Sequence, residues 1–586
     1  MEDEEIKRIL WISGLKNAVE FNGKPNKKAV MGKLMAEKKE LRSQAKIVIP
    51  LLDQIIEEIF NLNIEEQKEK LLELDPMALE KKEAKEEKKE LPELPNAEKF
   101  EKIVMRLAPY PSGALHIGNA RMIVLNNEYI KKHNGELILF YDDTIGSPKS
   151  LRNSPKAKYV LPEAYDLIKE GLDWLGVEIS KTYYKSDRLE IFYEYCEKLI
   201  KDNIAYVCFC PADEFRDNYK NKKKNCPHRE QTIKKNMEEW KNMLNRKYRE
   251  TEVVVRLKTG MDQKDPALRD QIIMRISEAE HPRVGNKYTV WPMLEFSWAV
   301  DDFLIGVTHI LRGSDLIKED FIEDFIWDHF KWKKAEFLHY GRLNFPDMKL
   351  SKTESRNNIQ KGIYDGWDDP RTWSLQSLAK RGIRPAALKE TLLDLGMSMA
   401  GISFSVNWLY SKNQDIIDEI SDRYFFVEDP ILIEVENVPF QEYKAEPLLL
   451  PSNPKKGKRI IDVLAKDNTL KVNIALSDAK KLKKEQILRL KDLINIKIVA
   501  LDLKNNKITA EFHSSELDRA YSIIQWVPDG EYVKVSILKP NGSISQGYGE
   551  INLLKIPLNK TIQFERYGFV NPIKLEKKKL FCYFTH

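Results

Sequence analysis

The feature that most constrains this chain is a strand–loop–helix–strand succession between residues 102 and 143. KIVMRLAP (102–109) is an apolar run of strand length, followed by a Pro- and Gly-bearing loop at 109–113. Helical spacing then runs from Ile117 to Lys132, and Asn134-Gly135 is a stop signal. ELILFYDD (136–143) is a second buried-strand pattern. Two such runs joined by a helix within about 40 residues make a βαβ unit, because neighbouring parallel strands need a crossover of that length. The chain therefore builds a parallel sheet.

The first loop of that unit reads Ala108-Pro109-Tyr110-Pro111-Ser112-Gly113-Ala114-Leu115-His116-Ile117-Gly118-Asn119. Free N–H groups at a helix start, with the positive end of the dipole, receive phosphate well. Gly118 lets a flat group such as adenine lie against backbone. His116 and Asn119, three apart on the first turn, share a face and can both donate to phosphate oxygens. A plain helix cap followed by a satisfied histidine fits the same letters. Far downstream, Lys349-Leu350-Ser351-Lys352-Thr353 sets two lysines beside hydroxyls. That arrangement suits ATP phosphates and a departing pyrophosphate; lysines on a surface loop would read identically.

Length and composition bound the rest. At about 150 residues per domain, 586 residues suggest roughly four units. With 42% hydrophobic and 32% charged residues the chain is globular, neither collagen-like, disulfide-dense nor wholly disordered. No apolar run approaches the roughly 20 residues of a spanning helix. The acidic start, MEDEEIKRIL, lacks the order of a secretory signal, so the expectation is a cytoplasmic enzyme with no membrane contact. Five cysteines in that setting are thiols or metal ligands rather than disulfides. A net charge of +5 decides nothing about partners. Basic clusters at Lys222–Lys224, Lys455–Arg459 and Lys480–Lys484 suit phosphates or simply a solvated face.

Residues 1–95 read as a helical extension, with a Glu/Lys/Ala/Leu-rich linker at Met77–Glu93. IVIPLLDQIIEEIFNLNIEE carries helical spacing, interrupted by Pro50. Helical patterns return at Ser374–Leu395 and Trp408–Arg423. After about Asp429 the period becomes two, with hairpin signals at Asn505-Asn506 and Pro540-Asn541-Gly542, which predicts one or two all-β barrels over 429–586. Cys208-Phe209-Cys210 and Cys226-Pro227-His228 form a four-ligand set of the kind structural zinc prefers. Buried cysteines beside a surface histidine are the other reading.

PSGALHIGN and KLSKT together resemble the HIGH and KMSKS signatures of class I aminoacyl-tRNA synthetases. Tyr141-Asp142-Asp143-Thr144, the segment from Val300 to His309, Gly366–Arg371, Asp422–Phe425 and Gln563–Gly568 narrow the resemblance to the glutamyl/glutaminyl group, of archaeal/eukaryotic type, over nearly the whole chain. It implies a Rossmann-type catalytic domain at 96–345 with an acceptor-stem insertion at about 205–283. A signature-loop and helical stem-contact region at 346–428 follows, then anticodon-binding barrels. It further implies ATP-dependent attachment of glutamate to tRNA(Glu), with Mg²⁺ on the phosphates.

By that resemblance His116, Asn119, Lys349 and Lys352 are catalytic, and Pro109, Ser112, Gly113, Gly118 and Ser351 join them around ATP. Arg106, Ala108, Asp142, Leu294, Trp298 and Arg312 line the amino-acid pocket: Arg106 holds a carboxylate, Arg312 favours Glu over Gln, and Asp142 meets the α-ammonium group. Lys222–Lys224 suit the acceptor end of tRNA, and Trp526, Tyr548 and Tyr567 are candidate aromatics for anticodon bases. The helical extension is expected to dock a partner protein. Several positions depart from the family pattern: Asn119 for the second His, Phe140 for an Arg, Ile145-Gly146 for Asp-Pro, Leu294 for a Tyr, and Trp298 for a smaller residue. These keep open glutaminyl or altered specificity, charging of tRNA(Gln), and a non-catalytic tRNA-binding paralogue.

Overall fold

The computed structural model describes residues 2–20, 23, 25–37, 45–75, 91–144, 158–346 and 348–586, in two units, Met1–Lys88 and Lys89–His586. Most of the linker read at Met77–Glu93, and the Ile145-Gly146 departure, lie outside the described residues. The first unit packs α1 (Glu2–Glu20), α2 (Lys27–Glu37), α3 (Ala45–Phe60) and α4 (Ile64–Leu74) around Leu10, Leu15, Leu34, Leu52, Ile55, Ile59 and Leu71. The apolar periodicity through NLNIEE is divided between α3 and α4. Asn63 makes the break: its Oδ1 accepts from the N–H groups of Glu65 and Glu66, and Glu66 Oε2 accepts from the Asn63 N–H. This reciprocal capping starts a new helix where the pattern alone continues the old one.

The second unit contains the βαβ element as read from its sequence. Strand β1 (Val104–Leu107) leads through the loop into α5 (Ile117–His133), and β2 (Glu136–Tyr141) pairs parallel with β1, Val104 opposite Glu136. Asn134, at a positive φ of 50°, ends α5. Strand β3 (Lys181–Tyr184) continues the parallel sheet beyond β2. The insertion follows as the antiparallel strands β4 (Ala205–Cys208), β5 (Val254–Leu257), β6 (Ile272–Ile276) and β7 (Val290–Pro292).

The chain then returns through α6 (Leu294–Ile305) to β8 (His309–Gly313), α7 (Ile317–Phe330) and β9 (Glu336–Tyr340), with β8 and β9 parallel. Thr308 stitches β8 to β1: its Oγ1 accepts from the Val104 N–H at 2.9 Å, and its own N–H donates to the Val104 carbonyl at 2.9 Å. The parallel strands thus read β3-β2-β1-β8-β9. Their order reverses between β1 and β8, the position at which sheets of this kind bind ligands, beyond the carboxyl ends of the strands. Met105, Leu107, Leu137, Leu139, Ile117 and Val124 form the core beneath.

Beyond β9 come α8 (Lys352–Gln360), α9 (Leu375–Arg381), α10 (Pro385–Asp394) and α11 (Val406–Ile417). From Arg423 the chain is almost entirely β, in a nine-stranded and a seven-stranded sheet. Both turns read from the sequence lie in hairpins, with Asn506 (φ 54°) and Gly542 (φ 85°) in the left-handed region that tight turns require. Trp526 is fully buried in the core of the first sheet, and Tyr548 stacks on Tyr532 at 3.8 Å. Trp526 is therefore packing, not a base-stacking surface.

Candidate active site

The loop between β1 and α5 is braced from outside its own βαβ unit. Ile117 N–H donates to the Trp373 carbonyl at 3.0 Å, Leu375 N–H to the Leu115 carbonyl at 2.8 Å, and Asp142 N–H to the Pro109 carbonyl at 3.2 Å. Pro109 and Gly113 are buried; Ala108 and Ser112 are half-buried along the same turn. At Gly113 (φ 140°) a Cβ would come within 2.2 Å of the Trp367 indole, so the Gly366–Arg371 segment seats directly on this glycine. Only glycine satisfies both demands.

His116 is the residue before the first turn of α5, and Asn119 Oδ1 accepts from its N–H at 3.2 Å. The oxygen of Asn119 is thus spent on the cap, and its amide nitrogen is what remains for a ligand. His116 Nδ1 is buried without a hydrogen-bond partner among the described residues. Burial first, and the Lys352 charge second, push the His116 pKa down to about 3, so the imidazole is neutral near pH 7.

The second signature lies against the first. A Cβ on Gly118 would meet the His116 ring at 3.0 Å and Leu350 Cδ1 at 3.3 Å. Ser351 begins α8, its Oγ accepting from the Glu354 N–H at 3.2 Å. Lys349 is exposed and paired with Glu354 Oε1 at 2.7 Å. Lys352 forms no hydrogen bond or ion pair among the described residues, and its pKa is lowered to about 8 by burial and then by Lys158. A neutral imidazole, an uncompensated ammonium and a helix start converge where phosphates would be received.

The residues read as amino-acid contacts also converge, but already committed to partners within the chain. Arg106 grips Asp302 in bidentate fashion, Nε to Oδ1 at 2.6 Å and Nη2 to Oδ2 at 2.7 Å, both side chains buried. Arg312 donates Nη1 to Glu323 at 2.7 Å and Nε to Asp320 at 3.1 Å, with Nη2 also on Asp320. Asp142 lies 3.5 Å from the ammonium of Lys185, a fully buried lysine that also donates to Ser297 Oγ. Burial raises the Asp142 pKa and lowers that of Lys185. Asp143 instead holds the fold, accepting from the Ser186 N–H, the Ser186 hydroxyl and the Tyr165 hydroxyl.

Trp298 is 5% exposed, with the cationic groups of Arg106, Lys185 and Arg312 at 4.6, 5.2 and 5.3 Å from its ring centre. Leu294 opens α6, half-buried, and Phe140 is buried against Tyr183. Sequence reading missed Lys185, Asp320 and Glu323 as members of this site. It quoted Asp302 within a motif without giving it a partner.

In the insertion, Cys208, Cys210, Cys226 and His228 present four ligand atoms all within 4.8 Å of one another. Cys208 Sγ lies 3.9 Å from Cys226 Sγ, and His228 Nδ1 lies 4.0 Å from Cys208 Sγ and 3.3 Å from Cys210 Sγ. A tetrahedral zinc site has edges of roughly 3.5–3.8 Å, so these side chains fit one metal ion.

A loop and helix start at the reversal point of a parallel sheet, two signature segments in contact and two β sheets behind are the arrangement of a class I synthetase. Accordingly, residues 102–419 match the model for tRNA synthetases class I (E and Q), catalytic domain, and residues 421–515 and 523–572 match the two anti-codon binding domain models of the same group. The chain belongs to the class I glutamyl/glutaminyl-tRNA synthetase family. It is 40% identical over 590 residues to the glutamate–tRNA ligase of Pyrococcus abyssi, covering 99% of this chain and all of that one. The ligase of Pyrococcus furiosus is 41% identical over 593 residues, and that of Methanocaldococcus jannaschii 40% over 586, with the same coverage in each case. No described helix is long and apolar enough to cross a membrane.

Proposed function

We propose that this chain attaches glutamate to tRNA(Glu) at the expense of ATP, in the cytoplasm. The observation that carries the reading is the approach of Leu350 to the turn at Gly118, with the Lys352 charge acting on His116. The triphosphate would lie across the start of α5, its adenine against Gly118 and its phosphates toward His116, Asn119 and Lys352. The amino-acid carboxylate attacks the α-phosphate and pyrophosphate leaves. The acyl group then passes from the adenylate to the terminal ribose of tRNA, releasing AMP. Lys352 neutralises charge that accumulates on the leaving phosphates, and neutral His116 donates a hydrogen bond to them. Lys349 would exchange Glu354 for a phosphate. The triphosphate itself would carry Mg²⁺, as Glu354 beside the second signature is already paired with Lys349.

Cys208, Cys210, Cys226 and His228 would hold one structural zinc that shapes the insertion. Lys222, Lys223 and Lys224, all exposed on the same insertion, suit the phosphates of the acceptor end. A cleft of 240 Å³ between the β sheets, lined by Gln525, Glu565, Arg566 and Tyr567 among others, suits an unpaired anticodon base. The Gln525 amide nitrogen there is buried without a partner among the described residues. On the N-terminal unit, exposed Ile49 and Phe60 suit a partner protein.

The test is aminoacylation of purified tRNA(Glu) and tRNA(Gln) with glutamate and glutamine offered separately. Charging of tRNA(Glu) by glutamate supports the proposal, and charging of tRNA(Gln) as well would widen the substrate range. Efficient charging by glutamine alone would replace it with the glutaminyl reading, which the departures from the family pattern at Leu294 and Trp298 keep open. Absence of tRNA-dependent pyrophosphate exchange with every amino acid would leave a tRNA-binding paralogue.

A further inference from the structure

We infer that Lys185, together with the indole N–H of Trp298, reads the side-chain carboxylate of the amino acid and sets the preference for acid over amide. The inference deepens, and rests on, the glutamate-attaching function proposed above. Lys185 begins the turn that leaves β3, at the carboxyl edge of the parallel sheet, the side on which sheets of this kind bind ligands. It is fully buried, a costly place for an ammonium group.

Of the two arginines expected to supply the pocket's positive charge, Arg312 is wholly engaged and Arg106 keeps only Nη1. Nε and Nη2 of Arg106 are used by Asp302, and all three nitrogens of the Arg312 fork by Asp320 and Glu323. Lys185 is less occupied. One donor reaches Ser297 Oγ, and its nearest carboxylate, Asp142, stands 3.5 Å away, outside a normal hydrogen bond. An ammonium has three donors.

Beside it, Trp298 is buried with no acceptor for its Nε1–H among the described residues, and three cations crowd its ring. Lys185 and the Trp298 indole N–H thus keep unused donors, while the unpaired oxygens around them, among the described residues, belong to Glu295, Asp301 and Glu323. A ligand group made only of acceptors satisfies those donors. A carboxylate is such a group, whereas the amide of glutamine turns two further donors toward a lysine and an indole N–H. Asp142 remains to accept the α-ammonium group of the same substrate.

The experiment measures steady-state charging of tRNA(Glu) by the full-length enzyme, with glutamate and with glutamine, for wild type, Lys185→Gln and Trp298→Phe. The Phe variant keeps the ring and removes only the N–H, so it stays informative if loss of the lysine impairs folding. Each variant is expected to raise KM for glutamate about tenfold, with the loss carried by KM rather than kcat and with KM for ATP unmoved. The glutamate-to-glutamine ratio of kcat/KM should fall in parallel. Unchanged KM and unchanged preference in both variants would overturn the inference while leaving the proposed reaction intact. A wild-type enzyme that charges no glutamate would overturn both.

Discussion

Leu350 lies directly over Gly118: a methyl group placed on that glycine would meet the leucine's Cδ1 at 3.3 Å and the His116 ring at 3.0 Å. The two signatures close on each other, so that a side chain at the second residue of α5 makes its neighbours give way. Gly118→Ala is therefore expected to lower kcat/KM for ATP by about three- to tenfold, because the His116 ring and Leu350 must give by a few tenths of an ångström where an ångström at a reacting centre costs about a hundredfold. Alanine is the better helix former by roughly 0.5–1 kcal/mol, which offsets the crowding. The melting temperature should move little. Kinetics and calorimetry on the same preparation check both halves.

Lys352 carries a pKa lowered to about 8, with burial as the main cause. Its charge is present below that pH and lost above it, so kcat/KM for ATP should fall by about a factor of ten per pH unit on the alkaline side. His116, neutral above about pH 3, contributes no limb in the neutral range. Lys352→Arg should shift the alkaline limb upward by more than 2 units, as guanidinium stays charged to about pH 12 or beyond. A profile of the arginine variant that still breaks near pH 8 would assign the limb to another group.

Asp302 and Arg106 are both buried and joined by two hydrogen bonds. Asp302→Ala leaves the guanidinium without its partner, and the expected cost is about 3–5 kcal/mol of stability. Urea unfolding of the purified variant measures it. A loss under 1 kcal/mol would mean that Arg106 finds another carboxylate.

Purified protein should contain about one zinc per chain, as a single tetrahedral cluster holds one ion. Cys208→Ser should lose it and lower the melting temperature, since Cys208 and Cys226 are buried in the same small core as Phe215. Strong chelators should do the same to the wild type. Elemental analysis that finds no metal in either protein would remove the site.

The sequence disclosed what is local. The βαβ unit lies within about 40 residues, and both signatures, the hairpin turns and the Cys/His set each within a dozen or two, where periodicity, turn chemistry and ligand spacing are readable. The amino-acid pocket is not local. Arg106 and Asp302 are 196 residues apart, and Lys185 meets Ser297 across 112. No short pattern announces such a pairing. For the same reason a lone lysine in YYKSD reads as surface until the fold buries it. Trp526 failed in the opposite direction: an aromatic on a strand carries no mark that tells a stacking platform from a core.

Thr308 supplies the stitch between the first strand of the sheet and the fourth, across 204 residues. At synthesis rates of about 5–20 residues per second, roughly 10–40 s separate the emergence of these two segments from the ribosome. During that interval the leading edge of Val104–Leu107 has no neighbour on one side, while the antiparallel strands of the insertion emerge in between. Nascent protein of this kind must shelter an open sheet margin until its late-arriving strand docks.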